Sequence, residues 1–248
     1  MKPSRPNLVI TLAAIVVVAL GMALGLWQLD RAAQKQTLAR TMQERAAMPP
    51  LTELPARGAT RPQDQWHRGV QLQGRWLEKF TVYLDNRQMK DRGQARVGFD
   101  VVTPLQLADG TAVLVQRGWL ARNFVDRGRV PDVPTPTEAV WVQGRYAASP
   151  PRLYEFKNDS NPLGRVRQNI ETDAYAQEIG ILLRPGSVVQ TGDDAASSVL
   201  KRAWSLPDAG VAKHHGYAFQ WFGLSVLFAG LYVWFQIIRP RRAPRATL

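Results

Sequence analysis

The chain has 248 residues, is 45% hydrophobic and carries a formal net charge of +12. It has no cysteine and three histidines, His67, His214 and His215. This excludes disulfides, thiol nucleophiles, thiolate metal sites and covalent c-type haem attachment, and makes an imidazole-built zinc or copper site hard to assemble. The cations are scattered, which argues against nucleic acid and for anionic lipid head groups or an anionic cofactor.

Residues 1–7 form a short basic N-terminus with Lys2 and Arg5. Residues 8–29 carry no charge and are numerous enough to cross a hydrocarbon core of ~30 Å at ~1.5 Å per residue. The run is longer than a signal-peptide core of ~7–15 residues, so it reads as an uncleaved anchor, although Ala19-Leu20-Gly21 has the composition of a cleavage site. Trp27 suits an interfacial anchor. Gly21 and Gly25 form a small-xxx-small pair. Gly223 and Gly230 share a face of the second apolar run. Either these faces pack helices together, or the glycines reflect the ordinary composition of membrane helices.

The helical pattern continues from Asp30 to Met48 and stops at Pro49-Pro50. Residues 51–65 read as loop. Strand signals then dominate: Val70 to Leu77, Phe80 to Leu84 with a turn at Asp85-Asn86, and Val97 to Leu107 interrupted by Pro104. Asp109-Gly110 is the strongest hairpin signal, leading into Thr111 to Gln116. Val140 to Tyr146 and Ser187 to Thr191 are further strands. Thr172 to Ile179 is predicted as a short helix, with Thr172 as N-cap and Gly180 as its stop. The aspartates Asp85, Asp100, Asp126 and Asp173 read as turn or solvated residues.

The second span is predicted at residues 214–238, with an uncharged core from Gly216 to Ile238. A basic tail, 239–248, follows with Arg239, Arg241, Arg242 and Arg245. Both basic flanks belong in the cytoplasm, so residues 30–213 are exported. The fold class is therefore α+β, with two transmembrane helices at the termini flanking one sheet-dominated periplasmic domain. The expected location is a bacterial inner membrane, multi-pass, with both termini cytoplasmic.

No nucleophile-elbow or glycine-rich phosphate loop accompanies the histidines, and no enzyme activity is expected. A helix puts His214, Tyr217 and Trp221 on one face, with His215 about 100° round. A neutral imidazole is a good axial ligand for haem iron, and the aromatic rings suit a porphyrin face. The same residues also suit an interfacial aromatic belt with histidines in the head-group region; on the residues alone the belt reading takes precedence because such belts are common.

Five blocks in order carry a family resemblance. Leu24-Gly25-Leu26-Trp27-Gln28-Leu29-Asp30-Arg31 resembles a Gly-x-Trp-Gln-x-x-Arg signature at the end of a first span. Gly98-Phe99-Asp100-Val101-Val102-Thr103-Pro104-Leu105 resembles a Val-x-Thr-Pro block. Val113-Leu114-Val115-Gln116-Arg117-Gly118-Trp119-Leu120 resembles a Val-Asn-Arg-Gly-Trp/Phe-Val block, with Gln116 where asparagine is usual. Asn158 to Asn169 is similar to an Asn-rich loop but lacks the usual aromatic residues. His214-His215-Gly216-Tyr217, then Trp221-Phe222, resembles His-x-x-Tyr-x-x-x-Trp-Phe/Tyr. On these blocks the chain is identified as a member of the surfeit locus protein one family, the assembly factors of haem–copper cytochrome c oxidase.

The resemblance implies a role in maturing the oxidase's largest subunit by binding haem a and presenting it for insertion. It selects His214 as the ligand to the haem iron. Tyr217, Trp221, Trp27, Gln28 and Arg31 are the other implied cofactor-binding residues. The largest oxidase subunit and membrane lipid are the expected partners, with the haem a synthesis machinery as a further one. An assembly scaffold that binds no haem is the alternative, as is a membrane-anchored periplasmic interaction protein. Gly118 and Trp119 read as sheet and core residues, and Arg117 as a salt-bridging scaffold residue.

Overall fold

A computed structural model describes residues 7–91, 94–122, 130, 133–154, 164–194, 197–204 and 210–242. Lys2, Arg5, Asp126, Arg245 and residues 158–163 of the Asn-rich stretch lie outside these. The chain divides into two units, Met1–Arg40 with Leu206–Leu248, and Thr41–Ser205.

The first unit is a helix pair. Helix α1 runs from Leu8 to Ala46, so its last turns enter the second unit, and it ends just before Pro49-Pro50. Both α1 and the C-terminal helical run from Val211 to Ile238 are long and apolar enough to cross a membrane. The inward positions of α1 recur at Thr11, Ala14, Val18, Gly21, Gly25 and Gln28, alternately three and four residues apart. That spacing keeps one stripe facing a partner helix. The partner is a helix from Val211 to Tyr232, α3; helix α2 of the second unit, Thr172–Ile179, precedes it in the chain. It repeats the spacing at Val211, His214, Ala218, Trp221 and Ser225.

The two helices run antiparallel. The Asn7 amide donates to Gln236 Oε1 (3.3 Å) and Thr11 Oγ1 bonds Tyr232 Oη (2.8 Å) at one end. Gln28 meets His214 at the other. Midway, a Cβ on Gly21 would strike Ser225 Oγ, and one on Gly25 would enter the Phe222 ring. These two glycines therefore permit the close approach. Gly223 and Gly230 do not take part: neither has any other group within 4 Å of where its Cβ would stand. Of the readings open for these two glycines, packing against α1 does not apply, because α3 presents Ala218 and Ser225 instead. Beyond Tyr232 the helix widens into a π-helical stretch, Val233–Ile238, then closes as α4, Arg239–Arg242.

The second unit is a sheet with one helix, α2, from Thr172 to Ile179. Its seven strands are β1 (Gly69–Trp76), β2 (Val82–Asp91), β3 (Gln94–Gln106), β4 (Ala112–Ala121), β5 (Ala139–Ala147), β6 (Val166–Arg167) and β7 (Leu183–Gln190). Their order is β1-β5-β7-β4-β3-β2-β6, and β1 also pairs with β3. Strands β1, β5, β7, β4 and β3 thus close into a ring, with β2 and β6 carried on β3 outside it.

Strand β3 changes neighbour along one edge, from β2 at Val102 to β1 at Leu105. Pro104 sits at that switch. Its carbonyl accepts from Leu77 N (2.9 Å), so its missing N–H falls where neither ladder needs a donor. The expected interruption at Pro104 therefore does not occur. Nor is Asp85-Asn86 a turn: β2 runs through it as a bulge between Leu84 and Arg87, with Asn86 at φ 59°. The Asp109-Gly110 hairpin forms as expected, with Gly110 at φ 81° and Leu107 N bonded to Thr111 O (2.8 Å). Helix α2 also matches its predicted range and ends on left-handed Gly180. Its N-cap position is Glu171, not Thr172, whose hydroxyl bonds Ser149. The loop at 51–65 contains a short 3-10 turn at Pro62–Gln65, and Leu51 bridges Val70.

Three apolar clusters hold the sheet, one of them formed by Tyr83, Phe99, Val101, Val133 and Leu200. Val70, Leu72, Leu105, Val113, Val142 and Val188 fill the inside of the ring. On the outer face Val82, Leu84, Val102, Ala112 and Leu114 pack under Ile170, Tyr175 and Ala176. Strand β4 is buried on both faces, which explains its nearly continuous apolar run. Tyr175 Oη donates to Phe80 O (2.5 Å), pinning α2 to the sheet.

Candidate functional site

The site predicted from the sequence falls at one end of the helix pair. Gly210, in a left-handed conformation, stands before α3, and His214 N bonds its carbonyl (3.4 Å). His214 occupies an inward position of α3 and Gln28 an inward position of α1. The His214 Nδ1 lies 2.7 Å from Gln28 Oε1. An amide oxygen only accepts, so Nδ1 carries the proton and the Nε2 lone pair is left to face a ligand. Gln28 thereby fixes both the tautomer and the ring orientation.

The other predicted residues surround this pair without bonding to it. Trp27 is 53% exposed and Tyr217 49% exposed. Trp221 is half-buried in the seam, and its carbonyl accepts from Ser225 Oγ (2.9 Å). Arg31 donates to Gln34 Oε1 (2.9 Å), and Gln34 in turn donates to Asp30 Oδ2 (2.8 Å), so this cation is held on its own helix. Arg31, Lys35 and His215 lie within electrostatic reach of the His214 ring. His215 itself is exposed, one step round the helix.

Lys35 is not singled out from the sequence as a site residue. The signal that finds it is the three-and-four spacing of small and polar residues on α1, which runs on through Ala32 and Lys35. Among the described residues, no group of three or more His, Asp or Glu side chains could hold a bare metal ion.

His67 belongs to the sheet unit. Its Nδ1 accepts from Arg145 NH1 (3.1 Å), and Ser149 Oγ bonds Thr172. A ring oriented by a cation is the reverse of a Ser-His-Asp arrangement. Arg117 is a residue of the buried scaffold. It is fully buried, donates to Thr135 Oγ1 (2.8 Å) and Pro134 O (3.2 Å), and lies over the Trp76 ring (4.7 Å). Hydroxyl, carbonyl and ring hold it, and Asp194 and Glu78 lie within electrostatic reach. Trp119 is a core residue, as read, with Nε1 donating to Arg87 O (3.0 Å).

The model of the SURF1 family matches residues 15–226, which takes in most of both helices and the whole sheet unit. The chain belongs to the SURF1 family. Members of this family are known as cytochrome oxidase assembly factors. A SURF1-like protein of Rickettsia felis is 22% identical over 92% of this chain and 96% of its own length. A SURF1-like protein of Rickettsia bellii is 22% identical over 89% and 88%. That of Rickettsia conorii is 21% identical over 86% and 85%.

Proposed function

We propose that this SURF1 family member is a non-enzymatic inner-membrane assembly factor that holds haem a through His214 and hands it to the largest subunit of cytochrome c oxidase. The observation that carries this reading is the Gln28–His214 hydrogen bond, made between residues 186 positions apart. A polar pair near the end of two apolar helices has a functional reading by default. The donor set favours a haem over a bare ion. Haem iron takes one or two axial nitrogens, whereas a structural metal site needs three or four protein ligands.

In this reading His214 Nε2 is the ligand and Gln28 orients it. Trp27, Tyr217 and Trp221 offer aromatic surface to the porphyrin. Arg31 and Lys35 supply positive charge for its propionates. Haem, when bound, supplies the iron; the chain's own residues bind, orient and release it. The antiparallel run of the helices supports a topology with both chain ends on one side of the membrane and the His214 end on the other. With the basic flanks inside, the sheet unit is periplasmic.

The test is a complementation experiment. Cells lacking this protein are given the wild-type chain or His214→Ala, His215→Ala and the double variant, and the haem a content of the assembled oxidase is measured. Normal expression of His214→Ala with haem-poor oxidase supports the reading. Normal haem a content with His214→Ala and with the double variant leaves a scaffold that handles no haem.

A further inference from the structure

The sheet unit contains a cavity that the proposed haem role does not use. Helix α2 covers only part of the outer sheet face, over Val102, Ala112 and Leu114. Past the helix, the same face continues as Gln116 on β4, Val189 on β7 and Arg145 on β5. These are direct register neighbours, Gln116 with Val189 and Val189 with Arg145. Together with Asp100 on β3 they line a cavity of about 350 Å3, walled by His67, Ser149 and Trp204. That volume lies within the range of small-molecule sites.

The polar groups divide into two ends. Arg145 has no carboxylate within 4.0 Å among the described residues; its one polar partner there is His67 Nδ1. Accepting that bond places the His67 proton on Nε2, a second donor beside the guanidinium. Burial, together with Arg145 and Arg45, holds the His67 pKa below its ordinary value, so the ring adds no positive charge near neutral pH. His67 sits at φ 72°, and its backbone N–H donates a hydrogen bond to Tyr146 O (2.7 Å). A non-glycine residue held there is strained, and such strain collects at functional sites. At the other end stands Asp100, with its side chain 14% exposed and its nearest cation, Arg87 Nε, at 3.9 Å. Beside it Gln116 is buried, and its Nε2 donates to Ser187 Oγ (2.9 Å).

We propose that this cavity binds a small amphoteric carboxylate, with its anionic end held by Arg145 and His67 and an ammonium or hydroxyl end held by Asp100 and Gln116. An unpaired guanidinium in a concave site calls for an anion. Asp100 repels a second negative charge, so dianions are excluded. The site is chemically independent of the haem reading.

The full-length protein in mild detergent at pH 7.5 is titrated calorimetrically with 4-aminobutyrate, 6-aminohexanoate and 8-aminooctanoate. Hexanoate and hexylamine are the one-ended controls. One or more aminocarboxylates bind saturably, at least tenfold tighter than either control. Arg145→Met weakens that ligand about tenfold or more, and Arg145→Lys restores part of the loss. Asp100→Asn brings the aminocarboxylate down to the level of hexanoate. Far-ultraviolet circular dichroism of each variant, matched to wild type, shows that the fold is intact. Absence of saturable binding across the series overturns the proposal. So does binding that Arg145→Met leaves unchanged, or a preference over hexanoate that survives Asp100→Asn.

Discussion

Replacing Asp100 with Asn should stabilise the protein, and by more at high pH than at low. Burial pushes the Asp100 carboxyl from its ordinary value near 3.8 up to about 6, against an opposing pull from Arg87. The folded state therefore holds a proton that the unfolded state releases between about pH 4 and pH 6. Stability is intact below the unfolded value and is lost as pH rises through the folded one. At ~1.4 kcal/mol per tenfold change the full loss is about 3 kcal/mol above pH 7, of which about half is already present at pH 5.

Asparagine removes that cost but leaves Arg87 without its nearby charge. Arg87 keeps the carbonyls of Pro151 (2.7 Å) and Gln168 (2.9 Å), which limits the damage. The absolute gain is thus smaller than 3 kcal/mol, whereas its pH dependence survives: the variant's advantage should grow by about 1.5 kcal/mol between pH 5 and pH 8. His67 also titrates in this window, in the opposite sense, since its pKa is lowered. It does so equally in both proteins and cancels in the difference. Urea unfolding of the detergent-solubilised chain, followed by tryptophan fluorescence at the two pH values, measures it. An Asn variant that loses ground as pH rises would mean that pairing with Arg87 outweighs desolvation.

Three further outcomes are expected. Cysteines placed together at Gly21 and Ser225 should oxidise to an interhelical disulfide seen as a mobility shift on gels. The Cβ–Cβ separation there is 3.5 Å, and no native cysteine competes; adding Gly25→Leu, which drives a side chain into Phe222, should suppress it. Trp119→Phe removes the bond to Arg87 O and should lower unfolding stability by about 1 kcal/mol in denaturant titrations, with little change in fold by circular dichroism. Gln28→Leu should leave His214 in place but free its ring. Haem retention through repeated washing should then fall between that of wild type and that of His214→Ala, roughly tenfold below wild type.

The legible parts of this fold were local ones. The two apolar runs, the Asp109-Gly110 hairpin and helix α2 each announce themselves within a dozen residues. What the sequence concealed depends on neighbours far along the chain. Pro104 looks like an interruption until β3 is seen to exchange β2 for β1 beside it. Asp85-Asn86 looks like a turn because a bulge uses the same left-handed backbone at Asn86. Strand β6 is two residues long and pairs in parallel with β2, so it has no periodicity to read. At the helix-pair site, hydropathy located both ends of the Gln28–His214 contact but not the contact itself. The seam positions that impose it were visible only as a spacing on α1, and the glycines of α3 take no part in it. The cavity residues come from strands and loops spread over more than a hundred positions, and no short motif joins them.

The most direct test of the central claim is an optical spectrum. The wild-type chain and His214→Ala are expressed in cells that make haem a and purified in mild detergent. The wild type should carry haem a and His214→Ala should be colourless, with His215→Ala unchanged. A colourless wild type that still co-purifies with the largest oxidase subunit would contradict the account.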